Sequence, residues 1–146
     1  MSARFVLFLA ILVGCGSSDK EAAPRPAIIT PEMAETFELY VAAFEKIAND
    51  VGAPGMDCHK AVGIVKRDGE AVAALAGRGD ALRAAMKGAK DPAARDWFAA
   101  TFAARFKTAT LKMGTLVTLC KDDPLLKLAM NEVMSQFPMM KKKAQP

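Results

Sequence analysis

The chain of 146 residues has little of what most enzymes use for chemistry: one histidine, one tyrosine, one tryptophan and three cysteines. Histidine is the usual general base and a common metal ligand, so a single copy leaves few ways to build a catalytic or metal-binding cluster. The formal net charge is only +4, without the concentrated basic face that nucleic-acid-binding domains need. The composition therefore predicts a protein that is not an enzyme, has no cofactor and does not bind nucleic acid.

An apolar run near the N-terminus is too short to span a membrane. Residues 5–13 are all apolar and follow Arg4. At about 1.5 Å per residue, such a helix is much shorter than the roughly 30 Å of a bilayer core. A short positive start followed by a short apolar run is typical of a secretory signal, so residues 1–14 are predicted to be a signal peptide.

The end of this run carries a more specific pattern. Leu12, Val13, Gly14 and Cys15 resemble the lipobox of bacterial lipoproteins, and the resemblance covers only the first fifteen residues. It implies that signal peptidase II cuts before Cys15, whose sulfur carries a diacylglycerol and whose amine is often acylated too. Two or three acyl chains anchor a protein stably to membrane lipid. Since Gly16 and not aspartate follows, the resemblance implies an outer-membrane location facing the periplasm.

The remaining chain divides into a tether, a domain and a tail. Residues 15–29 are mostly small, charged or proline and show no sustained periodicity, so they are predicted to form a flexible tether after the lipidated cysteine. Residues 30–138 are predicted to form a helical domain. Residues 139–146 are predicted to be a disordered basic tail in which three consecutive lysines, 141–143, are available to an anionic glycan or lipid headgroup.

Helix-start signals recur along the domain. A capping residue followed by proline, the pattern that begins many helices, occurs at Thr30-Pro31, Asp91-Pro92 and Asp123-Pro124. Another helix is expected from near Asp57 to Gly88, with a break near residues 77–79, because each glycine there costs up to about 1 kcal/mol relative to alanine.

Apolar residues follow these signals at steps of three and four, without strand alternation or internal repeats. The core positions expected in the last two helices are Trp97, Phe98, Phe102, Phe106, Ala109, Met113, Leu116, Val117, Cys120, Leu125, Leu128, Ala129, Val133 and Phe137. The fold class predicted from this pattern is all-α: a small antiparallel bundle of about four helices.

The two remaining cysteines test that architecture. Cys58 and Cys120 are equidistant from Ala89, in the turn expected between the second and third helices. In an oxidising compartment paired thiols become disulfides, so a Cys58–Cys120 bond is predicted. Buried free thiols and a metal pair are the alternatives left open.

Other candidate sites have plainer interpretations. His59, beside Cys58, is a weak candidate metal ligand, and a surface position in a first helical turn is the favoured interpretation. Met130 and Met134 carry thioethers of the kind that bind Cu(I) or haem iron, but their spacing of four is ordinary for core filling. Arg78-Gly79-Asp80 matches an integrin-binding tripeptide, and its glycine setting predicts a turn.

The function predicted by elimination is a non-enzymatic, membrane-anchored module of the bacterial envelope. It would act as a structural part or through contact with an envelope protein or an anionic glycan. If the fold leaves the aromatic residues between Trp97 and Phe106 exposed, they are the expected docking face. The alternative is a periplasmic carrier that holds haem, a metal or a small apolar molecule between its helices.

Overall fold

The computed structural model describes residues 24–88 and 92–138. Within these ranges the chain forms five helices and no strand: α1 (Pro31–Val51), α2 (Cys58–Ala73), α3 (Ala76–Gly88), α4 (Pro92–Leu119) and α5 (Pro124–Ser135). The all-α class is confirmed. The predicted signal peptide, the lipobox with Cys15, most of the tether and the basic tail lie outside the described residues.

Local capping fixes where three of the helices begin. The side chain of Thr30 accepts a hydrogen bond from the backbone N–H of Met33, and that of Asp123 accepts one from Leu126. Asp57 caps α2 in the same way. Each side chain satisfies a backbone donor that the first turn of a helix leaves unpaired. The helix starts predicted at Thr30 and Asp123 are therefore confirmed, and α4 begins at Pro92 as expected.

The predicted second helix is divided, but not where the glycines indicate. The break lies at Ala74 and Leu75, and α3 continues through residues 77–79. Arg78-Gly79-Asp80 is therefore helical, and the predicted turn is wrong. Gly79 is buried against Tyr40, whose hydroxyl donates a 3.0 Å hydrogen bond to the Leu75 carbonyl. The glycine lets two helices approach closely instead of breaking one.

Helix α1 packs on α2, α3 and α4. Its contacts with α4 advance in the same direction along both helices, from Phe37 on Phe98 to Asn49 on Lys112. The two neighbours are therefore parallel. This differs from a bundle in which every adjacent pair is antiparallel.

Helix α2 runs in the opposite direction to α1. Tyr40 contacts Leu75, whereas Asp50, ten residues later, contacts Arg67. Helices α1 and α2 are therefore antiparallel, and α2 with α3 covers the length of α1 that one longer helix was predicted to cover. Helix α5 packs on α2.

The interior consists of two hydrophobic clusters. One lies between α1, α2, α4 and α5, and the other surrounds Phe37 near the start of α1. In the second cluster Phe98 and Phe102 are buried, and the rings of Phe37 and Phe98 are 4.0 Å apart. The aromatic residues of α4 thus belong mainly to the core and do not offer a continuous docking face.

The start of the packed domain also differs from the predicted boundary. Ile29, assigned to the tether by its proline-rich surroundings, is buried in the cluster around Phe37. Its N–H bonds to the carbonyl of Pro26, so a short turn directs it inward. None of the helices in the described part of the chain combines the length and apolarity needed to cross a bilayer.

Candidate functional site

The predicted disulfide is confirmed and joins two helix ends. Cys58, the first residue of α2, is bonded to Cys120, which follows α4, with 5.6 Å between their Cα atoms. Cys58 is half-buried and Cys120 is buried. The bond removes both thiols from nucleophilic or metal chemistry, so the free-thiol and metal-pair alternatives do not hold.

The weak metal candidates are not brought together. His59 is exposed in the first turn of α2. Met130 and Met134 are half-buried against the hydrophobic core, as expected for packing residues. Within residues 24–88 and 92–138, no group of three or more histidine, cysteine, aspartate or glutamate side chains is arranged to hold a metal ion.

A buried carboxylate lies between α1 and α2. The side chain of Asp68 accepts hydrogen bonds from Arg67 at 2.8 Å and from Lys46 at 3.0 Å, and both cations also contact Asp50. The hydrogen bonds from Arg67, followed by those from Lys46, lower the pKa of Asp68 to about 2 despite the opposing effect of its burial. The carboxylate is therefore ionised and paired at neutral pH, which suits helix packing and not proton transfer.

A second ion-pair cluster joins α1 to α4. The Arg105 guanidinium donates to both carboxylate oxygens of Glu45, at 2.8 and 2.6 Å, and to Glu38 at 2.7 Å. Such forked pairing is geometrically specific, and the hydrogen bonds from Arg105 lower the pKa of Glu45. These side chains connect the two parallel helices, and the Arg105, Glu45 and Glu38 charges are paired with one another.

Among the described residues, a groove between α1 and α3 is one cavity that bears on ligand carriage. Its volume is about 230 Å³, and it opens to solvent beside Met33 and Leu82. Typical small-molecule sites have volumes of about 300–1,000 Å³. The one guanidinium in its wall, that of Arg78, already contacts Thr36 and Glu35. The groove gives little support to a carrier of haem or a similar ligand.

Several exposed apolar residues lie near the end of α4 and the start of α5, and Leu111, further back on α4, is 69% exposed. We define the apolar corner as Val117 and Leu119 on α4 together with Leu125 and Leu128 on α5, which are 53%, 65%, 58% and 65% exposed. Val117, Leu125 and Leu128 were expected in the core, and that prediction is wrong. The predicted core positions Ala129 and Val133 are buried in α5, together with Leu126, which the prediction did not include.

The sequence does contain a signal for these exposed apolar residues, which is the lack of charge in the last turns of α4. Residues 113–120 contain no ionisable side chain apart from the disulfide-bonded Cys120. Because apolar residues occur on several sides of this segment, helical periodicity does not show which of them face solvent. The uncharged outward surface is itself the pattern that would have identified the corner.

A disulfide and a helix cap constrain the backbone between α4 and α5. Cys120 is fixed to α2 by the disulfide, and Asp123, whose N–H bonds to the Cys120 carbonyl at 3.0 Å, caps α5. The four apolar side chains on either side of this turn are thus carried by constrained backbone. No family model matches the chain, and neither a curated protein nor a solved structure matches it.

Proposed function

We propose that the chain is a bacterial lipoprotein whose helical domain is a non-enzymatic contact module of the cell envelope. Residues 1–14 are removed on export, and Cys15 carries the lipid. The domain then faces the periplasm from the outer membrane, where it meets an envelope protein or an anionic glycan.

The Cys58–Cys120 disulfide is the observation that carries this proposal. Disulfides persist in oxidising compartments and are rare in the cytosol. With these two cysteines bonded to each other, the third, Cys15, is left unpaired within the chain at the end of an apolar leader. A cysteine in that position is accounted for by lipidation.

The distribution of charge supports a contact role over catalysis. The ion pairs of Asp68 and Arg105 connect neighbouring helices, and the disulfide occupies two of the three sulfhydryl groups. The residues of the apolar corner, in contrast, are more than half exposed, and exposed apolar side chains are available for contact with another molecule.

Mass spectrometry of the protein purified from bacterial membranes tests the proposal. We expect a mature chain that begins at Cys15, carries a diacylglycerol and an additional N-acyl group, and has lost two hydrogens through the disulfide. Cys15→Ser is the matched control and should retain the leader and lack lipid. An intact leader on the unsubstituted chain, or a mature terminus without acyl groups, contradicts the proposal.

Membrane separation and crosslinking test the location and the mode of action. We expect the acylated chain in the outer-membrane fraction, and we expect a photoreactive group at an exposed position to capture an envelope protein or glycan in living cells. Recovery only with the inner membrane would contradict the location. A capture of nothing but lipid would count against a protein or glycan partner.

A further inference from the structure

We propose that the outer face of α4 is the interface with a second, antiparallel copy of this chain. Among the residues that the structure describes, α1 is the only helix that shares an extensive contact with α4. The buried positions of α4, such as Phe102, Ala109 and Leu116, lie on the side that meets α1 and the core. We define the outer face as the exposed positions on the opposite side of the helix, which are Asp96, Ala100, Ala103, Lys107, Leu111, Gly114 and Thr118.

Helical geometry brings these positions into line. They follow one another along the chain at steps of four, three, four, four, three and four residues, and residues at such steps lie on one side of a helix. Mixed steps of three and four are also the repeat by which two helices pack along a common seam. Leu111 is 69% exposed on this side. The outer face therefore has the spacing of a helix-packing surface, and it faces solvent.

Asp96 and Lys107 are the two charged residues of the outer face, and both lack an opposite charge within the chain. Both are exposed, and neither forms an ion pair with any described residue. The residues three and four positions before and after each of them are uncharged, so neither is balanced within a helical turn. Arg95 lies about 100° around the helix from Asp96, and Arg105 and Lys112 bond to side chains of α1.

The placement of these two charges favours a second copy as the occupant. In a two-fold symmetric contact, each residue meets the same partner position on the other copy. An antiparallel pair of α4 helices centred between residues 101 and 102 sets Asp96 of each copy opposite Lys107 of the other. It also sets Ala100 opposite Ala103, and these small side chains allow the helix axes to approach to about 8 Å. A parallel pair would instead set each charge opposite its like.

The contact is small, so the dimer should be weak. In this register residues 92–111 of the two helices overlap, which is about 30 Å of helix with a width of about 10 Å. The facing area is therefore about 300 Å², whereas a standard stable interface buries about 800 Å² on each partner. The contact itself does not require lipid, but confinement of copies to one membrane through Cys15 would raise their effective concentration and strengthen it.

Carbodiimide crosslinking of the full acylated chain tests the register. The reagent joins a carboxylate directly to an amine and takes up the water that is lost, so it joins only groups in contact. Within one chain Asp96 and Lys107 are about 16 Å apart along α4, so a crosslink between them comes from two copies. In phosphatidylcholine vesicles, which contain neither primary amines nor carboxylates, we expect mass spectrometry to find this crosslink, with mixed isotopes when labelled and unlabelled chains are combined. Its absence overturns the inference.

Exchange of the two charges tests the symmetry. Sedimentation equilibrium in density-matched detergent gives the dissociation constant of the dimer. Asp96→Lys and Lys107→Asp should each weaken the dimer at least about tenfold, because each sets like charges together at two places. An equimolar mixture of the two variants should restore association, since opposite charges then meet again at both places. Glu70→Lys, at an exposed position on α2, is the control and should have no effect.

The outcomes separate this inference from the proposed function. Thermal midpoints of the charge variants equal to that of the unsubstituted chain exclude loss of folding as the cause of weaker association. A dimer that survives either single exchange, or a mixture that does not recover, overturns the inference. A chain that floats with the vesicles but gives no crosslink keeps the anchor and overturns the dimer. A chain without acyl groups that still gives the crosslink in solution defeats the proposed function and supports the dimer.

Discussion

Two glycines in α3, two residues apart, should respond in opposite ways to the same substitution. A Cβ atom added at Gly79 would overlap the hydroxyl of Tyr40 and lie 2.9 Å from its Cζ, whereas a Cβ at Gly77 has no neighbour within 4 Å. Tyr40 is only 1% exposed and its hydroxyl bonds to the carbonyl of Leu75, so it cannot move aside without losing that bond and disturbing the core.

The magnitude follows from three contributions to the free energy of unfolding. Overpacking a core typically costs about 1–3 kcal/mol, and loss of the Tyr40 hydrogen bond costs about 1 kcal/mol more. Replacing a helical glycine by alanine returns up to about 1 kcal/mol. Gly79→Ala should therefore destabilise the domain by about 1–3 kcal/mol, and Gly77→Ala should leave it unchanged or stabilise it by up to about 1 kcal/mol.

Urea unfolding followed by circular dichroism measures the free energy of unfolding of both variants. The midpoints are compared with one common value for the dependence of that free energy on urea concentration. Tyr40→Phe completes a double-mutant cycle. Removing the hydroxyl should lower the cost of Gly79→Ala, and the remaining cost reflects the ring carbon. The reasoning is refuted if Gly79→Ala is as stable as Gly77→Ala, or if its cost is the same with phenylalanine at position 40.

Three further substitutions probe the contacts that join the helices. Replacing both Cys58 and Cys120 by serine removes a crosslink between residues 62 positions apart. It should lower the free energy of unfolding by about 4 kcal/mol in the chain-entropy model. A thermal midpoint equal to that of the oxidised protein would contradict this. Because the hydrogen bonds from Arg67 help to hold the pKa of Asp68 at about 2, below the ordinary 3.8, its stabilisation is present above about pH 4 and is lost as the pH falls towards 2. It should amount to roughly 2 kcal/mol, and Asp68→Asn should flatten that part of the stability–pH curve; an unchanged curve would show that other carboxylates dominate. Arg105→Leu should cost about 1 kcal/mol at low salt, since its pairs are partly exposed, and the difference from the unsubstituted protein should shrink in 1 M sodium chloride; a salt-independent cost would assign the effect to packing.

The features predicted correctly from the sequence depend either on residues within one helical turn or on two residues lying equally far from a turn between helices. Thr30 and Asp123 were identified because a capping side chain and the following proline act within one turn. The Cys58–Cys120 bond was identified because two helices joined by a short turn bring equidistant residues level with each other. The first inference needs no tertiary information, and the second needs only that the two helical segments run in opposite directions from their shared turn.

The break between α2 and α3 had a tertiary cause and was misplaced. Glycine propensity alone puts the break at residues 77–79, but Gly79 is needed where α3 meets Tyr40. The bend falls earlier, at Leu75, whose carbonyl accepts hydrogen bonds from both the Tyr40 hydroxyl and the Gly79 N–H. A side chain 35 positions away along the sequence thus fixes a boundary that local propensity assigns elsewhere.

The apolar corner was hidden for a related reason. The face of α5 that is buried is chosen by α2, where Gly69 is so close to Val133 that an added Cβ would lie 2.5 Å from its Cγ2. Once Val133 points inward, helical geometry turns Leu128 outward. Val133 and Leu128 are both apolar, and the packing of α5 on α2 determines which of them faces water.

The corner owes its shape to contacts that do not involve its exposed side chains. Helix α5 has 12 residues, too few to be stable alone in water, and it is held by the Cys120 disulfide, the Asp123 cap and the packing of Val133 on α2. Leu125 and Leu128 contribute little to that packing because more than half of each residue is exposed. Replacing both by serine should therefore change the free energy of unfolding by less than about 1 kcal/mol while removing most of the apolar area available for contact. The stability of the fold and its exposed apolar area are thus separable at Leu125 and Leu128.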